Sequence, residues 1–314
     1  MEVKHQTVRY LTTKLSSVSE QTQVEALSEL RLMTKLDANA RPIIAEAGAI
    51  PYLVDTLYSS SHVAQDDAAA TLLNLSISSR AALMSTRGLL DALSHVLRHH
   101  ASSSSPTAVQ SSAATLHSLL IEDEYRPIIG SKRDIIYSLI DVIKQSRSAV
   151  RSVKDALKAL FGISLYPLNR KTVVDLGGVG PLFSLILKGS ATGIIEDATA
   201  VIAQVAGCEE SEEAFRKASG VGVLLDLLDV ATGSSMRVKE NVVAALLNLV
   251  RCGKETLGRE VREMGLLVVE GIAEVAENGN PKGKSKAVAL LRVLYGGSNG
   301  CVVRDERFDY LLNH

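Results

Sequence analysis

Histidine and cysteine side chains are the groups in this 314-residue chain that could act as proton carriers, nucleophiles or metal ligands. The seven histidines are scattered, and the adjacent His99 and His100 have no acidic residue or cysteine at ligand spacing. Cys208, Cys252 and Cys301 are far apart and form no C-x-x-C pair. The zinc-protease motif H-E-x-x-H and the phosphate-binding P-loop are absent from the sequence. We therefore predict no enzymatic activity, no catalytic site, no metal site and no cofactor.

Acidic residues recur at similar places along the chain, in the pairs Asp66–Asp67, Lys154–Asp155, Glu196–Asp197 and Glu240–Asn241. Two interpretations are open. The carboxylates could form an acidic edge that binds a basic segment of a partner protein. Alternatively, they lie at helix N-termini, where each stabilises its helix by about 0.3–1 kcal/mol through the helix dipole. The candidate binding residues in this group are Asp67, Asp155, Asp197 and Glu240.

A second polar group occupies the seventh position of a recurring helical pattern that is described below. Asn74, Ser118, Gln204 and Asn248 stand there, and Lys158 stands one helical turn before that position in its own copy. These side chains could orient a bound peptide by hydrogen bonding. Half-buried amides more often bond their own or a neighbouring repeat's backbone, so both interpretations stay open.

An internal repeat must position these residues. The pattern A-x-x-x-L-x-x-(L/V/I/M), or a close variant, returns at intervals of 42 to 45 residues, for example as AATLLNLS at 69–76 and VAALLNLV at 243–250. A turn residue returns independently at intervals of 40 to 46 residues, as Gly48, Gly88, Asp134 in place of glycine, Gly177, Gly220 and Gly265. Two landmarks with the same period predict modules that stack in a row.

Each period holds three helices, which we call the first, second and third helix. The first helix is short and ends at the turn residue, where glycine, or Asp134, can adopt a left-handed conformation. The third helix is the longest, and its small and apolar residues three and four apart form a face for packing on the next module. The predicted fold is all-α: a right-handed superhelical α-solenoid of about six three-helix repeats plus a partial N-terminal one.

The predicted domain is one continuous solenoid over residues 1–314. Its expected units are 1–38 (partial), 39–79, 80–124, 125–168, 169–211, 212–254 and 255–298, followed by a C-terminal tail, 299–314.

Composition agrees with packed helices. Apolar residues make up 46% of the chain but aromatic residues only 4%, with no tryptophan, so an aliphatic helical core is expected. The formal charge of −1 gives no basic excess for binding nucleic acid. No uncharged stretch reaches the roughly 18 residues of a membrane-spanning helix. The separated cysteines favour a reducing compartment, so we expect a cytoplasmic or nuclear protein, or both.

The tract HHASSSSPTA at 99–108 interrupts the second expected repeat between its second and third helices. Its low complexity predicts an exposed insertion that is too polar to pack. Phosphorylation there would add about −2 of charge per site and could regulate access of a partner. The candidate phosphorylation sites are Ser102, Ser103, Ser104 and Ser105.

The period, the turn glycine and a third helix that closes with A-x-x-x-L-x-N-L-S resemble the armadillo repeat. Three longer segments resemble the armadillo region of plant U-box ubiquitin ligases and their armadillo-only relatives: ELRLMTKLDANARPIIAEAGAIPYLVDTL at 29–57, AATLLNLSISSRAAL at 69–83 and FGISLYPLNRKTVVDLGGVGPL at 161–182. In that family a U-box, marked by a Cys-Pro-Ile segment and a tryptophan, recruits the ubiquitin-conjugating enzyme. This chain has no Cys-Pro pair and no tryptophan. We therefore expect an armadillo-only member, which Met1 also favours.

We predict a non-enzymatic scaffold that binds a partner, which could carry a basic or extended segment, along the concave face of its third helices. The resemblance implies a plant protein with partners in ubiquitin-linked, immune or developmental signalling. Two alternatives remain open. One is the substrate-recognition arm of a U-box ligase, and the other is a transport or cytoskeletal adaptor.

Overall fold

The computed structural model describes residues 2–252, Val261 and residues 266–295. Within these ranges the regular secondary structure is helical, and no strand occurs. The chain divides into two compact units, Met1–Ile163 and Ser164–His314. The turn residue Gly265, Cys301 and the expected tail 299–314 lie outside the described residues. The single continuous domain with its unit boundaries stays a prediction.

The first unit begins with two helices, α1 and α2, and continues with sets of three. Its helices are α1 Glu2–Leu15, α2 Glu20–Leu36, α3 Ala40–Glu46, α4 Ala49–Thr56, α5 His62–Ser76, α6 Arg80–Ser85, α7 Leu89–Arg98, α8 Pro106–Leu119, α9 Tyr125–Gly130, α10 Arg133–Lys144 and α11 Val150–Ser164, which ends one residue into the second unit.

The second unit repeats the succession of shorter and longer helices. They are α12 Pro167–Asp175, α13 Val179–Leu187, α14 Thr192–Val205, α15 Ser211–Lys217, α16 Gly220–Leu228, α17 Met236–Cys252, α18 Leu266–Asn278 and α19 Pro281–Tyr295. A single 3₁₀ turn, Val230–Thr232, separates α16 from α17. None of the described helices is both long and apolar enough to cross a membrane.

The third helices are α2, α5, α8, α11, α14, α17 and α19, and each contains its copy of the Ala/Leu pattern. In the first unit α5 packs against α2 on one side and α8 on the other. In the second unit α17 packs against α14 and α19 in the same way. Small residues such as Ala68 and large ones such as Leu72 are fully buried at these contacts. The prediction that each third helix packs on the next module is confirmed for these helices.

The left-handed turn is confirmed at Gly48, Gly88 and Gly177, with φ of 80°, 84° and 76°. It is wrong for Asp134, which lies in the first turn of α10. It is also wrong for Gly220, because the preceding Ser219 adopts the left-handed conformation, with φ of 49°.

Gly220 has a different role, which is close packing. A Cβ built on it would lie 2.7 Å from Cζ of Phe183 and 3.2 Å from Cδ1 of Phe215. These two rings meet edge to face with their centroids 5.4 Å apart. The absent side chain of Gly220 therefore allows α16 to pack against the ring pair.

The prediction that the whole segment 99–108 is too polar to pack is wrong. Ser104 and Ser105 are buried, and the backbone N–H of Ser105 donates to Oε1 of Gln65 at 3.2 Å. Ser105 is also the N-cap of α8, since its Oγ accepts from the N–H of Thr107 at 3.2 Å. Pro106 follows at the first helical position, where the missing N–H has no cost. The last part of the tract is therefore a helix start.

Candidate partner-binding surface

Each third helix between α5 and α17 is buried over much of its circumference and exposes one strip of side chains at helical spacing. Buried residues of α11 include Val153, Leu157 and Leu160, whereas Lys154, Lys158 and Phe161 remain at least partly exposed. We call the exposed positions the third-helix strip. Its members are Asp66, Ala70, Asn74 and Ile77; Gln110, Ala114, His117 and Ile121; Arg151, Lys154, Lys158 and Phe161; Glu196, Ala200, Gln204 and Gly207; and Arg237, Asn241, Asn248 and Arg251.

The predicted seventh-position residues mostly bond the preceding third helix. Asn74 Nδ2 donates to Oγ1 of Thr34 at 3.1 Å. Ser118, which is buried, donates through Oγ to the backbone carbonyl of Ser76 at 3.0 Å.

Asn248 makes the same kind of contact in the second unit, where its Nδ2 donates to the carbonyl of Ala203 at 2.8 Å. Gln204 differs, because its Oε1 accepts from Nη2 of Arg170 in a first helix at 3.3 Å. These geometries agree with the interpretation that the polar residues fasten neighbouring repeats. Their use in orienting a bound segment stays a prediction.

The predicted acidic residues are also engaged within the protein. Asp67 is buried, and its Oδ1 accepts from Nη1 of Arg31 at 2.6 Å. Asp155 pairs with Lys158 on its own helix, with Nζ and Oδ1 3.5 Å apart.

In the second unit, the buried Asp197 pairs with Arg237 of the next third helix, with Oδ1 and Nη2 3.5 Å apart. Glu240 accepts from the backbone N–H of Asn280 at 2.6 Å and from its Nδ2 at 2.5 Å. Asp67 and Asp197 are therefore paired with arginines of adjacent repeats, Asp155 is paired on its own helix, and Glu240 accepts hydrogen bonds from a neutral asparagine. Arg31, Arg237 and Asn280 are contributors that the sequence reasoning missed.

Sequence reasoning also missed a recurring arginine in the first helices. In three first helices its Nε donates to a carbonyl near the end of the preceding third helix: Arg41 to Thr34 at 2.9 Å, Arg126 to Leu120 at 3.1 Å and Arg170 to Ser164 at 2.9 Å. These carbonyls are among the groups left without a partner where a helix ends. The signal was present in the sequence, since the segments ARPII, YRPII and NRKTV place arginine at one position of the repeat.

The four candidate phosphorylation sites fall into two classes. Ser102 and Ser103 are exposed, whereas Ser104 and Ser105 are buried against the start of α8. A kinase needs an accessible hydroxyl, so the structure favours Ser102 and Ser103 over the other two. Phosphorylation of this segment stays a prediction, and intact-mass analysis of protein from its native cells would test it.

Comparisons with known sequences agree on one family. The profile described as "Plant U-box protein ARM repeat region" matches residues 7–223. U-box domain-containing protein 18 of Arabidopsis thaliana is 27% identical over 91% of this chain and 41% of its own length. U-box domain-containing protein 16 of the same plant is 32% identical over 91% of this chain. U-box domain-containing protein 1 of Medicago truncatula is 33% identical over 92% of it.

The chain spans about two fifths of the length of these three relatives. Among solved structures, a designed armadillo repeat protein is 19% identical, with a TM-score of 0.51 over 91% of this chain and 99% of its own. An engineered protein is 26% identical, with a TM-score of 0.65 over 78% of this chain and 97% of its own. The all-α armadillo fold is thereby confirmed, and the chain belongs to the family of plant U-box protein ARM repeat regions.

Proposed function

We propose that this chain is a non-enzymatic protein-binding scaffold that holds a partner segment along the third-helix strip. One observation carries the proposal. Polar members of the strip, such as Asn74 and Asn248, are used to join repeats. Small members stay partly exposed at corresponding positions, namely Ala70 and Ala114 in the first unit and Ala200 in the second. A row of small, accessible residues between larger neighbours leaves room for a main chain to approach, which is what an extended partner needs.

A pair of arginine substitutions in the second unit tests this proposal. Ala200→Arg would fill the strip of α14, whereas Ser184→Arg places the same side chain on an exposed position of the second helix α13. Arginine is well tolerated on exposed helical surfaces, so both variants are expected to fold, as circular dichroism would verify.

The readout is affinity purification with mass spectrometry from the source tissue. We expect proteins that co-purify with the wild-type chain to be lost with Ala200→Arg and kept with Ser184→Arg. An identical set of proteins from all three baits would contradict binding on the strip.

A second candidate is the substrate-recognition arm of a U-box ubiquitin ligase, and the family membership favours it. The matched relatives are named U-box domain-containing proteins, and this chain aligns with about two fifths of each. Protein immunopurified from native cells should then form ubiquitin chains with ubiquitin-activating and ubiquitin-conjugating enzymes, ubiquitin and ATP. Native protein of 33.6 kDa that forms no chains would exclude this candidate.

We further propose that the protein acts in the cytoplasm, the nucleus or both, in ubiquitin-linked, immune or developmental signalling. The free thiols of Cys208 and Cys252 are compatible with a reducing compartment. Fluorescence imaging of a tagged full-length protein in plant cells tests the location, and a signal confined to the secretory pathway would contradict it.

A further inference from the structure

Three cations follow one another along the exposed side of α11. They are Arg151, Lys154 and Lys158, at spacings of three and four residues, so they share one face of the helix. Arg151 is exposed, Lys154 is half-buried, and the side chain of Lys158 is 41% exposed. The position of Lys158 is Ala70 on α5 and Ala114 on α8, and that of Lys154 is Asp66 and Gln110, so the positive charge is a departure from the repeat.

These cations are not neutralised as the acidic residues of neighbouring repeats are. Within the part of the chain that the structure describes, Arg151 and Lys154 make no ion pair. Among the described residues, the one ion pair of Lys158 is with Asp155, at 3.5 Å and on its own helix. The buried Asp67, by contrast, has Arg31 at 2.6 Å. Three positive charges against one carboxylate leave this part of the strip with a net positive charge.

Two contacts place α11 alongside α8. Near the starts of the helices, Ser152 Oγ donates to the carbonyl of Pro106 at 3.4 Å. Near their ends, a Cβ on Gly162 would lie 2.8 Å from Cβ of Leu120. The charged row of α11 therefore runs beside the neutral strip of α8, which carries Gln110 and Ala114.

Apolar side chains lie at the other end of the same strip. Ile77 and Ile121, just beyond the ends of α5 and α8, are 51% and 53% exposed. Phe161, near the end of α11, is partly exposed. The strip of the first unit therefore carries cations along the first two thirds of α11 and apolar side chains towards the ends of α5, α8 and α11.

We infer that this surface binds an acidic protein segment in extended conformation, whose carboxylates or phosphates pair with Arg151, Lys154 and Lys158 and whose apolar side chains contact Ile121 and Phe161. The inference rests on the proposed function and specifies its partner. Charge complementarity selects an anionic partner. A protein segment fits better than nucleic acid, because strongly bound duplexes engage about 6–10 phosphates and this row has three cations beside apolar residues.

Selection from a phage-displayed library of random twelve-residue peptides tests the inference on the full chain. The test variant is Arg151→Glu with Lys154→Glu. A glutamate near the start of a helix interacts favourably with the helix dipole, so both substitutions should leave α11 folded. The matched control is Arg87→Glu with Arg133→Glu, which reverses the same number of charges at exposed positions outside the third-helix strip, with Arg133 at the start of α10.

We expect the wild-type chain and the control to enrich peptides rich in Asp and Glu, with affinities that fall as salt rises. The affinity of the test variant for those peptides should be at least about tenfold lower, because two attractive charges become repulsive. If the enriched peptides are neutral or basic and do not bind the Ala114→Arg variant, the inference is overturned, while the proposed function stands. If no peptide is enriched, or none depends on any strip residue, both fail. The inference would also be overturned if no acidic peptide is enriched and the wild-type chain, but not the test variant, binds poly(U) RNA in a gel-shift assay.

Discussion

Nη1 of Arg31 donates to Oδ1 of Asp67 at 2.6 Å and so joins two third helices across 36 residues of sequence. Asp67 is only 5% exposed, so its carboxylate depends on this arginine for charge compensation. The ion pair between Lys132 and Asp91 has a distance of 3.1 Å, but its side chains are 46% and 67% exposed.

Arg31→Ala should therefore destabilise the protein more than Lys132→Ala. Leaving a buried carboxylate without its partner costs about 1–3 kcal/mol, whereas an exposed pair contributes about 0–1 kcal/mol. Urea unfolding followed by circular dichroism measures both changes. Equal losses from the two variants would show that Asp67 is solvated after Arg31 is removed.

Two glycines in α16 should respond oppositely to the same substitution. A Cβ on Gly220 would overlap the ring of Phe183 at 2.7 Å, whereas a Cβ on Gly222 would meet nothing within 4 Å. Gly220→Ala should lower the free energy of unfolding by about 1–3 kcal/mol through overpacking. Gly222→Ala should raise it by about 0.5–1 kcal/mol, because alanine is the better helix former. Thermal unfolding of the two variants distinguishes them, and stabilisation by Gly220→Ala would contradict the close packing described above.

His95 should make the stability of the protein depend on pH. Burial, and then the nearby His99 and Arg98, lower the pKa of His95 below its usual value of 6.5. The unfolded chain therefore binds a proton more readily than the folded one. The stability contributed by neutral His95 is present above pH 6.5 and is lost as pH falls through the lower, folded pKa.

His95→Phe keeps a ring beside Tyr58, whose centroid lies 4.7 Å from that of His95. The variant should lose less free energy of unfolding than the wild type between pH 7.5 and pH 5.5. Urea titrations at both pH values measure the difference. An identical loss in the two proteins would show that His95 titrates normally in the folded state.

Cys208 should resist alkylation although its thiol is free. Burial, together with a hydrogen bond from Sγ to Oε2 of Glu210 at 2.8 Å, raises the pKa of Cys208 to about 11. The thiolate is the reactive form, so little of it exists at pH 8. Cys252 is exposed in the same unit. Iodoacetamide at pH 8 should label the peptide of Cys252 well before that of Cys208, as mass spectrometry of a digest would show. Faster labelling of Cys208 would contradict the raised pKa.

The repeat and its third helices could be predicted from the sequence, because Ala and Leu spaced three and four residues apart indicate a buried helical face. It could not show how Asp67 or Glu240 would be used, since Arg31 and Asn280 lie 36 and 40 residues away. Which side chains meet depends on how adjacent helices are offset along their axes, and an apolar period does not determine that offset.

The turn before α16 shows a second limit. Glycine at position 220 matched the expected left-handed residue, yet Ser219 adopts that conformation. Packing explains the glycine instead, because the rings of Phe183 and Phe215 occupy the space where a side chain at 220 would be. A local rule about turns could not show this contact, since Phe183 lies in another repeat.

The hydrogen bonds of Ser118 and Asn248 have a consequence for how related chains can diverge in sequence. Ser118 donates from one turn after Ala114, and Asn248 donates to Ala203, three residues after Ala200, whereas the side chains of Ala114 and Ala200 are partly exposed. Mutations at those two alanines can therefore accumulate without loosening the scaffold. After gene duplication, descendants can diverge in what they recognise while inheriting an unchanged framework.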